Sequence, residues 1–232
     1  MVKRSGVQKK LGLVQRTLRK PQRVGLRPAE GVCIRKFFES LIHMVSVWSA
    51  SQHLVLGQQK VSEKSTEITA IPALLKLLSV KGCLVSIDAM GCQTEIAKVI
   101  IEQGADYVLA LKGNQGDLHT DVVQLFSGAR KQNFKNIEHQ FHSTVSKGHG
   151  RIETRSYWIM GDTEYLLGAQ KWSGLKSIGM VESQREVNGK ISIEQRYYIL
   201  SLENNVHRFA AAVRSHALYR ESTPLDFGCR FC

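Results

Sequence analysis

Asp88 closes a short apolar run, Cys83-Leu-Val-Ser-Ile87, and is followed by Ala89-Met-Gly-Cys-Gln93. A carboxylate at the carboxyl end of a buried strand, ahead of a glycine-containing turn and a helix, is held rigidly at a sheet edge. There it can ligate a hard divalent cation and serve phosphoryl transfer. Aspartate before a helix also serves as an N-terminal cap. Spacing alone leaves both chemistries open. The five cysteines, Cys33, Cys83, Cys92, Cys229 and Cys232, are odd in number. No export signal precedes them, which argues for reduced thiols in the cytoplasm. Cys229-Arg-Phe-Cys232 is a lone C-x-x-C. Zinc would need two further ligands at matching spacing, and none is evident. Cys83 and Cys92 read as small core or turn residues.

The elements that must position Asp88 follow from periodicity. Leu41–Trp48 and His53–Val61 are rich in β-formers and flank the turn Ser49-Ala-Ser-Gln52, which predicts a hairpin. A helix begins near Ile68, with Pro72 in its first turn and Ile71, Leu74, Leu75 and Leu78 as its apolar stripe. Gly82 ends it, and the strand 83–87 follows. A helix over 93–103, a strand over 106–112 and a short helix over 118–126 come next. Strand and helix alternating in this order imply right-handed crossovers and a parallel sheet edge. Residues 127–145 are polar and irregular. Beyond them, strands are predicted over 147–157, 177–183 and 191–202, with a last helix over 206–219. The fold class is therefore α/β, a mixed sheet with flanking helices and a β-rich insertion.

The chain has 232 residues, 43% hydrophobic and 22% charged, which permits one sizeable domain with a real core. No apolar run is long enough to span a bilayer, so a membrane partner is not expected. The net charge of +12 is uneven. Residues 1–28 carry nine Lys or Arg and no acid, while the other 204 carry 23 basic and 20 acidic side chains. This reads as a basic, poorly ordered arm suited to a polyanion. Leu11, Leu13, Val14 and Leu18 could support a short basic amphipathic helix within it. The organisation is then an arm over 1–28, the first part of the core over 29–126, the insertion over 127–202, and a closing helix and tail over 203–232.

Several ordered blocks carry a family likeness. His43-Met-Val-Ser-Val-Trp48, Leu56-Gly-Gln58, Glu67-Ile-Thr-Ala-Ile-Pro72, Ile87-Asp-Ala-Met-Gly-Cys-Gln93, Lys112-Gly-Asn-Gln115, His149-Gly-Arg-Ile-Glu-Thr-Arg155 and Arg196-Tyr-Tyr198 run in order over about residues 40–216. The chain resembles the H-repeat-associated insertion-sequence transposases of bacteria. That family is of the DDE type, and the resemblance implies an RNase H-like fold. It also implies two Asp and one Glu holding divalent ions, usually Mg²⁺, for cleavage and joining of DNA at the element's ends. Asp88 matches the second Asp. The first Asp sits in an Asp-Gly-Lys-Thr-Leu-Arg segment in the family. Here Glu30-Gly-Val-Cys-Ile-Arg35 is read as its counterpart, with Glu30 as the acid. The last acid falls in a helix, where counting from His216 puts Arg220 at the family position and Glu221 one place later. Reading plausible codons from Tyr219 one base later restores the family pattern, so a frameshift is the expectation for the tail. Lys112, His149, Arg151 and Arg155 are the expected DNA contacts. The implied protein is a cytoplasmic DNA-binding transposase copy, incomplete and inactive, with a homodimer among its forms. The alternatives are a non-catalytic DNA-binding remnant and a pseudogene product.

Overall fold

The computed structural model describes residues 10–18, 42–49, 54–61, 67–148, 150–161 and 163–222. The first strands are β1 (Lys10–Leu18), β2 (Ile42–Ser49) and β3 (Leu54–Val61). Helix α1 (Glu67–Leu77) leads to β4 (Leu84–Ile87), then α2 (Thr94–Glu102) to β5 (Asp106–Leu111). Next come α3 (Gly116–Lys131) and four strands, β6 (His139–Gly148), β7 (Arg151–Met160), β8 (Ser177–Val187) and β9 (Lys190–Leu200). Helix α4 (Val206–Ser222) closes the described chain. β4, α2 and β5 fall within a residue or two of their predicted positions, whereas α1 ends at Leu77 ahead of Gly82, α3 runs on to Lys131, and β6 occupies part of the stretch read as irregular.

All nine strands form one sheet in the order β3-β2-β1-β4-β5-β9-β8-β7-β6. β1, β4 and β5 are mutually parallel, and the remaining pairs are antiparallel. The arrangement is RNase H-like, as the resemblance implies. The β-rich insertion is no separate body: β9 pairs with β5 over Val108↔Leu200 to Leu111↔Tyr197 and so prolongs the same sheet.

The structure departs from the sequence reading at the N-terminus. Lys10–Leu18 is neither a poorly ordered arm nor a helix but a strand near the sheet's middle. It is antiparallel to β2 over Leu11↔Ser49 to Leu18↔Ile42 and parallel to β4 from Lys10↔Leu84. Pairing with β2 along most of its length, and with β4 as well over Lys10–Gly12, gives its backbone groups partners, which outweighs the helical spacing of its leucines.

The sheet's two faces are covered unequally. On one, α1, α2 and α3 pack over a core that includes Leu75, Ile96, Ile100, Tyr107, Leu109, Phe126 and Ile199. On the other, α4, the one helix there among the described residues, packs over Leu84, Val108, Tyr157, Ile159, Val181, Tyr198 and Leu200. Phe209 of α4 seats in a notch left by Gly179, between the ring of Tyr198 and the cross-strand neighbour Ile159. A Cβ on Gly179 would lie 2.6 Å from Phe209 Cζ. Among the described residues this helix leaves part of that face uncovered, and the candidate site lies there.

Candidate active site

Asp88 directly follows β4 with extended backbone (φ −74°, ψ 178°), and one turn of 3₁₀ helix, Ala89–Gly91, begins after it. Its side chain makes no capping hydrogen bond to that turn, and helix α2 begins after Gln93 instead. The capping role left open by the sequence is therefore not taken up. Asp88 Oδ1 is buried and without a hydrogen-bond partner. A buried, unpaired carboxylate oxygen costs free energy, and such groups concentrate where a ligand is to be met.

The turn is fixed from two sides. Gly91 lies against Ile87 and Ile71, where any Cβ would collide with Ile87 Cγ2. Asn114 Nδ2 donates to Ala89 O at 2.9 Å, and Gln115 Nε2 donates to Cys92 O. These two residues give the Lys112-Gly-Asn-Gln115 block a structural meaning that the sequence reading missed: the second block of the likeness anchors the first. Cys92 is buried, and burial pushes its thiol well above the ordinary range, so it is packing and not a nucleophile.

An open cleft of about 680 Å³ runs from Asp88 across the carboxyl end of β5 to β9. Lys112, Glu194, Arg196 and His216 share its wall with Asp88. His216 Nδ1 lies 3.4 Å from Ser86 Oγ, which ties α4 to β4. Arg196 grips Glu194 through Nε (2.8 Å) and Nη2 (2.9 Å). The Arg196 hydrogen bonds hold the Glu194 carboxyl below the usual carboxylate range, against some desolvation. Burial pushes the adjoining Tyr198 hydroxyl up to about 12, so it stays neutral. Glu194, Arg196 and His216 were not singled out as site residues, because only β5–β9 pairing and α4 packing bring them beside Asp88.

A second hollow continues along the same face, lined by Arg196, Arg185, Glu153 and Arg155. Arg155 is buried, and its Nε and Nη2 donate to Glu153 Oε1 at 3.1 and 2.8 Å. Arg185 Nη2 joins at 3.4 Å. Burial alone would raise the Glu153 carboxyl, but the two guanidinium groups outweigh it and hold it low. Arg155 thus holds Glu153 within the sheet face. Arg151 is exposed at the start of β7, and Lys112 is exposed at the cleft. Glu30 and His149 lie outside the described residues. Glu221 is within helix α4, but its side chain is outside the described set.

The described side chains do not fit a two-metal centre. Such a centre needs several carboxylates converging on hard cations. Asp88 offers one unpartnered oxygen, and Glu194 is committed to Arg196. Among the described residues no group of three His, Cys, Asp or Glu converges. Among them, too, no helix is long and apolar enough to cross a membrane.

The profile of the Transposase DDE domain family matches residues 30–178. An "Uncharacterized protein in dhlA 3'region" of Xanthobacter autotrophicus is 45% identical over 160 residues, covering 69% of this chain and 53% of that protein. The "H repeat-associated putative transposase YhhI" of Escherichia coli K12 is 39% identical over 180 residues, covering 75% of this chain and 47% of that protein. Among solved structures, a piggyBac transposase synaptic complex with hairpin DNA is similar at a TM-score of 0.46 and 9% identity, over 91% of this chain and 39% of that one. The chain thus spans about half the length of the curated relatives it matches. With a family match over most of its described core, the chain belongs to the DDE transposases.

Proposed function

We propose that this chain is a copy of an insertion-sequence transposase that retains a DNA-binding cleft and has lost end cleavage and strand transfer. The observation that carries this reading is the cleft's charge inventory. One side holds Asp88 with an unpartnered oxygen, and the other holds Lys112 and an Arg196 oriented by Glu194. A guanidinium held in a fixed orientation and an ammonium group can bind backbone phosphates. A single uncommitted carboxylate does not hold two divalent ions for in-line attack on a phosphodiester. In a complete family site Mg²⁺ would supply that chemistry, and the residues described here do not supply its ligands. Arg151, at the start of β7, and His149 are further proposed DNA contacts. The proposed setting is the bacterial cytoplasm, with a homodimer as the assembled form.

The test has two parts. Binding to the element's end sequences should be salt-dependent and should weaken severalfold in Lys112→Ala, with a shallower salt slope. Incubating the same DNA with Mg²⁺ or Mn²⁺ should yield no nicks or joined products. Divalent-dependent cleavage that disappears in Asp88→Ala would overturn the proposed loss of catalysis. The position of β1 rules out deleting residues 1–28 as a clean probe of the basic terminus, because Lys10–Leu18 is a sheet strand.

A further inference from the structure

The hollow beside the cleft holds more positive charge than its acids balance. It measures about 130 Å³, and Arg155, Arg185 and Arg196 line it together with Glu153 and Glu194. Arg155 matches Glu153 through two hydrogen bonds to Oε1, at 3.1 and 2.8 Å. Arg196 matches Glu194 with one bond to each carboxylate oxygen. Arg185 is the cation left over. Its Nη2 reaches Glu153 Oε1 at 3.4 Å, and its side chain is 45% exposed, against 10% for Arg155. A guanidinium carries several N–H donors in a fixed fork, and among the described contacts this long bond engages one nitrogen of Arg185. β8 and β9 pair Arg185 with Ser192, Ser183 with Glu194 and Val181 with Arg196. Alternate residues share a sheet face, so Ser183 and Ser192 stand on the face of the three arginines, and both line the hollow.

We propose that this hollow is a phosphate-binding subsite for a DNA duplex lying across the cleft, with Arg185 as the residue that contacts the phosphate. This rests on the reading of the cleft as a DNA-binding surface, and it extends that surface from β5 and β9 to β8. Arg196 lines both the cleft and the hollow, so the two are continuous. Along the sheet Arg185 stands four residues from the level of Arg196, about 14 Å at roughly 3.4 Å per residue. That is less than half of one helical turn of duplex, about 34 Å, so one DNA molecule can present phosphates to both. The surplus charge is positive, which selects an anion. A guanidinium steadied by a carboxylate and flanked by hydroxyl groups donates to phosphate oxygens in a fixed geometry and reads no base.

The test is the salt dependence of binding to a labelled duplex, followed by fluorescence anisotropy. Arg185→Ala should weaken binding severalfold and reduce the slope of log affinity against log salt by about 0.9, one phosphate contact. Arg185→Lys should keep the slope, because the slope counts charge. Arg130→Ala serves as the control for net charge: Arg130 pairs with Glu182 at 2.6 Å on the α3 side of the sheet, and its loss should change neither quantity. An Arg185→Ala protein with the parent's melt, affinity and slope would overturn the proposal, as would an equal loss in Arg130→Ala. If Arg185→Ala does not fold, Arg185→Gln decides by the same readings. Inorganic phosphate should bind the parent far more weakly than the duplex does. Tight binding of inorganic phosphate that vanishes in Arg185→Ala would assign the hollow to a small anion and overturn the DNA assignment. The two readings separate cleanly. A silent Arg185→Ala beside a weakened Lys112→Ala would remove this subsite and leave the cleft, and the reverse pattern would remove the cleft and leave the subsite.

Discussion

The contact between Gly179 and Phe209 fixes where α4 lies, and with it where His216 meets the cleft. In Gly179→Ala the new methyl would stand 2.6, 2.9 and 3.1 Å from three ring carbons of Phe209. Ordinary carbon contacts begin near 3.5 Å, so ring or helix must retreat by roughly 0.5–1 Å. Phe209 is fully buried and is also held edge-on by Tyr157 and Tyr198, at 6.1 and 5.3 Å between centroids. The ring has little room to turn, and the cost should be that of an overpacked core, about 1–3 kcal/mol. In a protein of this size that lowers the midpoint of thermal unfolding by roughly 2–12 °C. Phe209→Leu alone should cost about 1 kcal/mol by leaving the notch underfilled. The double variant should cost less than the sum of the two by at least about 0.5 kcal/mol, since leucine vacates the space the methyl needs. Urea and thermal melts followed by circular dichroism measure all four proteins. Strictly additive losses, or a Gly179→Ala protein as stable as the parent, would refute this packing argument.

Other tests bear on the site's supports. Arg155→Met should cost about 3–5 kcal/mol, because it leaves the buried Glu153 with Arg185 as its one remaining partner among the described contacts; urea melts read this directly. Glu153 has its folded pKa below the unfolded value. Its stabilisation is therefore complete above the unfolded value and drains away as pH falls through the folded one. Stability measured against pH should accordingly fall less steeply in Glu153→Gln below about pH 4.5. Asn114→Ala removes the hydrogen bond to Ala89 O and should cost about 1 kcal/mol, with faster amide exchange confined to the turn after Asp88. Asp88→Asn should raise stability by up to about 1 kcal/mol, since it removes the charge of a half-buried carboxylate with one buried, unpartnered oxygen, and a loss of that size would count against the open-site description.

The region around Asp88 was legible because its signals are local. Leu74, Leu75 and Leu78 spell a helical stripe, Leu84–Ile87 a buried strand, and Gly82 and Gly104 the stops between them. β1 was misread because Leu11, Val14 and Leu18 fall three and four apart, the spacing of a helix face, amid a run of cations. Only the partners on either side, Ile42–Ser49 and Leu84–Ser86, decide for a strand, and they are distant in sequence. The same holds for Glu194 and Arg196. Their alternation announces a strand, but nothing in it announces that Leu111 and Tyr197 are neighbours. The insertion was recognised as β-rich, while its fusion into the core sheet depends on that nonlocal register. Asp88 itself was read as a metal ligand or a cap, and its side chain makes no cap bond to the turn that follows it.

The place of β1 also bears on how the chain is made. β1 emerges from the ribosome ahead of its parallel partner β4, which follows Leu18 only after about 66 further residues. At roughly 5–20 residues per second, synthesis leaves the β4-facing edge of β1 unpaired for about 3–13 s. Through that interval the hairpin β2–β3 can shield one side alone, and the other edge is open to a second nascent chain. Slow translation over residues 19–83 should therefore promote aggregation, and a chaperone that holds extended segments should suppress it.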